Sequence, residues 1–89
     1  MLSAAERKEL KARAHKLEPV VLIGAQGLSD EVVHEVERAL RAHELIKLRA
    51  PGLEREAREQ ALKTLCERTR AEAVQHVGKV FVMYRKRDG

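Results

Sequence analysis

The apolar positions along the chain switch between the spacing of strands and the spacing of helices, and the switch is sharpest between Glu18 and Glu31, which read EPVVLIGAQGLSDE. Val20, Val21, Leu22 and Ile23 make a continuous apolar run with three β-branched residues. This predicts a strand buried on both faces, with Pro19 at its beginning. The run passes into the four-residue loop Gly24, Ala25, Gln26, Gly27 and then into a helix start at Leu28, Ser29, Asp30, Glu31. Two glycines three apart free the backbone at both ends of the turn to take positive φ, and let another molecule approach without a Cβ in the way. Such a loop suits phosphate contact, but G-x-x-G after a strand equally fits an ordinary turn, so its surroundings must carry any functional reading.

Ser3 followed by Glu6 forms a capping-box pattern, which predicts a first helix running to about Lys16. At about 100° per residue Leu10, Ala14 and Leu17 fall on one face, while Lys8, Lys11 and His15 gather on a flank. Those cations are either a solvated face or a surface for RNA. Ser29 is a good N-cap for a second helix reaching Ala42 or His43. Its core stripe is Val32, Val36, Ala39 and Leu40, and Glu31, Glu35, Arg38 and Arg41 look outward. Asp30 and Glu31 in its first turn complement the helix dipole and would repel an anion there, so a phosphate should meet the loop and the basic segments instead. Leu45 to Ala50 alternates Ile46 and Leu48 with Lys47 and Arg49, a half-buried strand with two cations on its wet face. Pro51 and Gly52 break the chain before a third helix from Glu54 to Arg70, with Ala57, Ala61, Leu62, Leu65, Cys66 and Thr69 towards the core. The last segment, AVQHVGKVFVMYRKR, predicts a β-hairpin about Gly78 and Lys79, with Val80 to Tyr84 central in the sheet.

The expected fold is therefore α/β, a four-stranded mixed sheet with three helices in the order α-β-α-β-α-β-β. Each strand-helix-strand unit should give parallel neighbours, the hairpin an antiparallel pair, and helices should cover both faces. At 89 residues the chain is expected to be one domain, 1–89, with room for one modest core. No apolar run approaches the roughly 18 residues of a membrane span, and MLSAAERKELK lacks the apolar stretch of a signal peptide, so a cytoplasmic location is expected. Cys66 is the only cysteine and offers neither a disulfide nor metal-ligand spacing.

The net charge of +4 is unevenly spread. Residues 1–17 carry five basic against two acidic side chains, 45–53 two against none and 73–89 four against one, whereas 29–44 hold five acidic against two basic. Basic ends around an acidic middle imply one positive surface and a polyanionic partner. No nucleophile with a base, paired carboxylates or metal set is spaced for catalysis, and His15, His34, His43 and His76 are scattered singly. GAQGLS matches neither a dinucleotide-binding glycine pattern nor a Walker loop, because no lysine follows Gly27. The reading is a protein that is not an enzyme and takes no cofactor or small-molecule substrate. Phe81 and Tyr84 are the only Phe, Tyr or Trp residues and both sit in a strand that reads as core, which argues against an aromatic stacking platform. A glycine loop, cations from separate segments and Gln26 fit shape and phosphate reading of structured RNA better than sequence-specific reading of a single strand.

Three ordered segments, LKARAHKLEPVVLIGAQGLSDEVV, HELIKLR and VGKVFVMYR, cover nearly the whole chain and together resemble the CRM domain (chloroplast RNA splicing and ribosome maturation) in its stand-alone bacterial, YhbY-like form. The resemblance implies a fold similar to the C-terminal domain of translation initiation factor three, and RNA binding through the glycine loop and neighbouring basic surface. It also implies association with ribosomal RNA and precursors of the large ribosomal subunit. Carried over, the RNA-binding residues are Gly24, Ala25, Gln26 and Gly27 in the loop and Lys8, Lys11 and His15 on the first helix. Many relatives place a lysine inside the loop where this chain has Ala25 and Gln26. The charge must then come from Lys8, Lys11, Lys47, Arg49 and the closing Arg85, Lys86 and Arg87, the last three being alternatively a solubilising tail. Two rival readings are a basic DNA-compaction protein and a protein adaptor that meets a basic partner through the acidic second helix. With no large exposed apolar stripe expected, a monomer is the default.

Overall fold

The structure, a computed structural model, describes residues 2–87. Among them the elements follow the order α1 (Ala4–Ala14), β1 (Pro19–Leu22), α2 (Asp30–His43), β2 (Leu45–Arg49), α3 (Arg55–Thr69), β3 (Glu72–Val77) and β4 (Val80–Tyr84). The four strands form one mixed sheet in the order β1-β2-β4-β3, with β1 parallel to β2 and both other pairings antiparallel.

Local chemistry accounts for the helix boundaries. The Ser3 hydroxyl accepts from the Glu6 N–H at 3.0 Å while the Glu6 carboxylate accepts from the Ser3 N–H at 2.9 Å, so both orphan donors at the start of α1 are satisfied. α1 stops at Ala14, short of Lys16, and the chain tightens into a turn in which the Leu17 N–H donates to the Ala14 carbonyl at 3.0 Å. Ser29 caps α2 through the Val32 N–H at 3.2 Å. The buried stripe of α2 is Val33, Val36 and Leu40, with Val32 and Ala39 half-buried; Val33 belongs to the core and had not been expected there. In α3, Ala61, Leu62, Leu65 and Thr69 are buried but Ala57 is exposed, one turn too early to reach the sheet.

Helices cover both faces of the sheet. α2 and α3 lie on one side over a core of Val21, Ile23, Ile46, Leu48, Phe81 and Met83, and α1 lies alone on the other over Leu45, Val74 and Val82. Two expectations about the strands are corrected. β3 does not neighbour β2, because the hairpin folds back through Gly78, at φ +57°, and inserts β4 between them. β4 is apolar on both faces and takes the dry centre, whereas β3, with Gln75 and His76, takes an edge. β1 is likewise an edge strand and not buried on both faces. Val21 is buried, but Val20 and Leu22 point to the side of α1, which packs over β2, β3 and β4 and stops short of them. No helix among the described residues is long and apolar enough to cross a membrane.

Candidate nucleic-acid interface

The glycine loop is a hydrogen-bonded turn, with the Gly27 N–H donating to the Gly24 carbonyl at 3.0 Å. Its two glycines meet different demands. Gly27 sits at φ +83°, a conformation that disfavours any side chain. Gly24 is outside that region, and a Cβ there would meet only the flexible Gln26 side chain, at 3.8 Å. The expectation of positive φ at both ends therefore holds at Gly27 alone. The Ile23 N–H donates to the Arg49 carbonyl at 2.8 Å, which ties the loop to the end of β2. Gly52 backs it closely: a Cβ there would lie 3.1 Å from the Ala25 backbone. The Ala50 N–H donates to the Lys79 carbonyl at 2.8 Å and brings the β3–β4 turn to the same end of the sheet.

Cations from separate segments stand on this side of the sheet, Arg49 and Lys79 at the loop end itself. Arg49 is exposed and Lys47 half-buried, both on the α1 side of β2. On α1, Leu10 and Ala14 face the sheet, and the Arg7 guanidinium donates to the carbonyls of Ala73 and Val74 in β3. Arg13 and Leu17, on one flank, line a cavity with Glu18, His43 and Leu45 at the start of β1 and β2. Lys8, Lys11 and His15 are all exposed, on the side of α1 turned away from the Leu10 and Ala14 contacts. Lys79 joins this group and was missed in the sequence, where it read only as a turn residue; its place beside the loop depends on the register of β4 against β2. Among the described residues none of Lys8, Lys11, Lys47, Arg49 and Lys79 is held in an ion pair.

Arg85 and Lys86 are not part of this group, which corrects the inclusion of the closing basic residues in one positive surface. They follow β4 at the far end, separated from the loop by the whole β2–β4 pairing from Leu45–Tyr84 to Arg49–Val80. Arg85 grips both oxygens of Glu37 at 2.8 and 2.7 Å and donates to the Thr69 carbonyl at 2.8 Å. This hydrogen-bonded pairing, helped by Arg41, holds the Glu37 carboxyl below the ordinary carboxylate range. The Arg87 N–H donates to the Glu44 carboxylate at 2.8 Å and lowers its pKa likewise, so these two arginines serve as clasps of the C-terminal segment. Lys86 is exposed on a cleft with Glu37, Arg41 and Arg70. At the start of α2, Asp30 pairs with Arg68 at 3.4 Å.

Burial, with Glu72 and Glu67 nearby, pushes the Cys66 thiol up to about 11, which leaves it protonated at neutral pH. Among the described residues no three His, Cys, Asp or Glu side chains converge as a metal set.

An α/β sandwich with a glycine-bounded turn and unpaired cations at one end of its sheet thus defines the class. The particular family follows from comparison: the profile of the CRS1 / YhbY (CRM) domain matches residues 2–85, and the chain belongs to that family. It is 40% identical over 84 residues to an RNA-binding protein of Haemophilus influenzae, covering 94% of this chain and 85% of that one. It is also 40% identical over 85 residues to a probable RNA-binding protein of Pseudomonas aeruginosa, covering 96% and 82%. The solution structure of a hypothetical Staphylococcus aureus protein, described as a candidate RNA binder, superposes with a TM-score of 0.87 at 29% identity, over 100% of this chain and 93% of that one.

Proposed function

We propose that this protein is a non-catalytic RNA-binding protein that engages structured ribosomal RNA during assembly of the large ribosomal subunit, as a cytoplasmic monomer. The observation that supports the reading is the meeting of the Gly24–Gly27 turn with Arg49 and the Lys79 turn at one end of the sheet, beside which Lys47 on the same face and the exposed Lys8 and Lys11 of α1 add unpaired charge. Bare backbone at the turn admits a sugar-phosphate chain closely, with Gln26 as a polar contact, and the cations around it neutralise phosphates. His15 borders the same surface. Arg85 and Lys86 lie outside it. The names of the relatives support RNA as the polyanion, and the family resemblance supports its ribosomal origin.

Binding of the purified chain to fragments of precursor ribosomal RNA, measured against salt, tests this. With about four phosphates neutralised in an unpaired region, a slope near −0.7 per contact predicts about a 50-fold loss of affinity on a fourfold rise in salt. A flat salt response, or stronger binding to duplex DNA than to folded RNA, would overturn it. Co-sedimentation with ribosomal precursors should be lost on nuclease treatment; survival would favour the protein-adaptor reading.

A further inference from the structure

α1 covers only part of its side of the sheet. The side chains it packs on, Leu45, Val74 and Val82, lie towards the far end, and the half next to the glycine loop is open. Across that half the strand register builds one continuous row in which Leu22 pairs with Arg49, Arg49 with Val80 and Val80 with Val77. Leu22 is 63% exposed and Val77 60%, and Val20, also on this face, is 47% exposed. Of the large apolar side chains that the described residues leave in water, Val20, Leu22 and Val77 therefore share one face, Leu22 and Val77 at its loop end. The row contains no carboxylate, and its single cation, Arg49, has no ion-pair partner among the described residues.

We propose that this open face takes an unpaired stretch of RNA, with bases laid on Leu22, Val80 and Val77 about the Arg49 guanidinium and the phosphates held by Lys79, Lys47 and the lysines of α1. The inference rests on the RNA-binding reading and specifies which part of an RNA the surface selects. An aliphatic row alone would suit many partners, but one interrupted by an arginine outside any ion pair and flanked by Lys47 and Lys79 matches a ligand that is apolar on its faces and anionic along its chain. A base pair in a helix hides its faces, and an A-form surface offers phosphates and 2′-hydroxyls, which would leave the row unused. A guanidinium plane is itself a stacking surface for a splayed base, so the shortage of aromatic rings is no obstacle. Four strands span about 14 Å, room for about two or three bases.

The test uses the full chain and fluorescence anisotropy with three probes: an unpaired RNA of about 12 nucleotides, the same backbone carrying abasic sites, and a blunt RNA duplex of equal length. The unpaired probe should bind about tenfold more tightly than the other two, the share expected from covering aliphatic side chains. Leu22→Ser and Val77→Ser should each weaken it about three- to tenfold, leave the abasic and duplex probes unchanged and barely alter the melting temperature, because both positions are exposed. Arg49→Lys, which keeps the charge and loses the plane, should weaken the unpaired probe more than the abasic one. Equal binding of the three probes, or serine variants that match the parent on the unpaired probe, would overturn this inference while salt-dependent RNA binding stood. Failure to bind any of the three would remove the RNA reading along with it.

Discussion

Gly24 and Gly27 close the same turn, yet only one of them is required by the fold. Gly27 at φ +83° would be strained by any side chain, so Gly27→Ala should cost about 1 kcal/mol or more of stability, read by denaturant unfolding. At Gly24 a Cβ would make only an ordinary contact with the flexible Gln26 side chain. Gly24→Val should therefore leave stability within about 0.5 kcal/mol and still weaken RNA binding by crowding the approach to the backbone. A large loss of stability in Gly24→Val would mark the residue as structural. Cys66 gives a second test at this scale. With its thiol pushed up to about 11 by burial and two carboxylates, it should alkylate far more slowly in the native protein at neutral pH than in the denaturant-unfolded chain. Labelling as fast as that of the unfolded chain would contradict the half-buried placement.

Among the elements, α1 has two separable tasks. Its inner side closes the smaller core through Leu10 and Ala14, held at the start by the Ser3–Glu6 capping box. Ser3→Ala should cost about 1 kcal/mol in stability with RNA affinity unchanged. The outer flank carries Lys8 and Lys11, exposed and outside any ion pair among the described residues. Reversing both to glutamate should leave the melting temperature nearly unaltered, weaken RNA binding more than tenfold and flatten its salt dependence by about two phosphate contacts. β1 shows what an element's neighbours decide. It is four residues long and begins at Pro19, features that keep a free sheet edge from pairing with other chains.

In the whole molecule the basic segments near the two chain ends go to different places. Lys8 and Lys11 stand exposed on the outer side of α1, while Arg85 and Arg87 close the end of the sheet away from the loop on Glu37 and Glu44. Glu37 has a folded pKa below its unfolded value near 4.5, chiefly through Arg85. Its stabilisation is therefore complete above about that pH and is lost as pH falls through the lower folded value. Glu37→Gln should be about 1–2 kcal/mol less stable than the parent at about pH 7. The two should converge at strongly acid pH, and thermal melts of both across that range check the sign. A difference that persisted unchanged into acid would mean that the ion pair is not its source.

Capping residues, apolar spacing and turn glycines are local, and they already contained the helix starts at Ser3 and Ser29, the seven-element order, the hairpin at Gly78 and the loop itself, because each depends on atoms within a few residues along the chain. The wet face of β2 was legible for the same reason, from the alternation of Lys47 and Arg49 with Ile46 and Leu48. What lies across a strand from what is a non-local matter. Only the assembled sheet put β4 beside β2, left β1 at an edge with Val20 and Leu22 uncovered, drew Lys79 to the loop and carried Arg85 away from it, because register and helix placement are set by which apolar faces can be buried together.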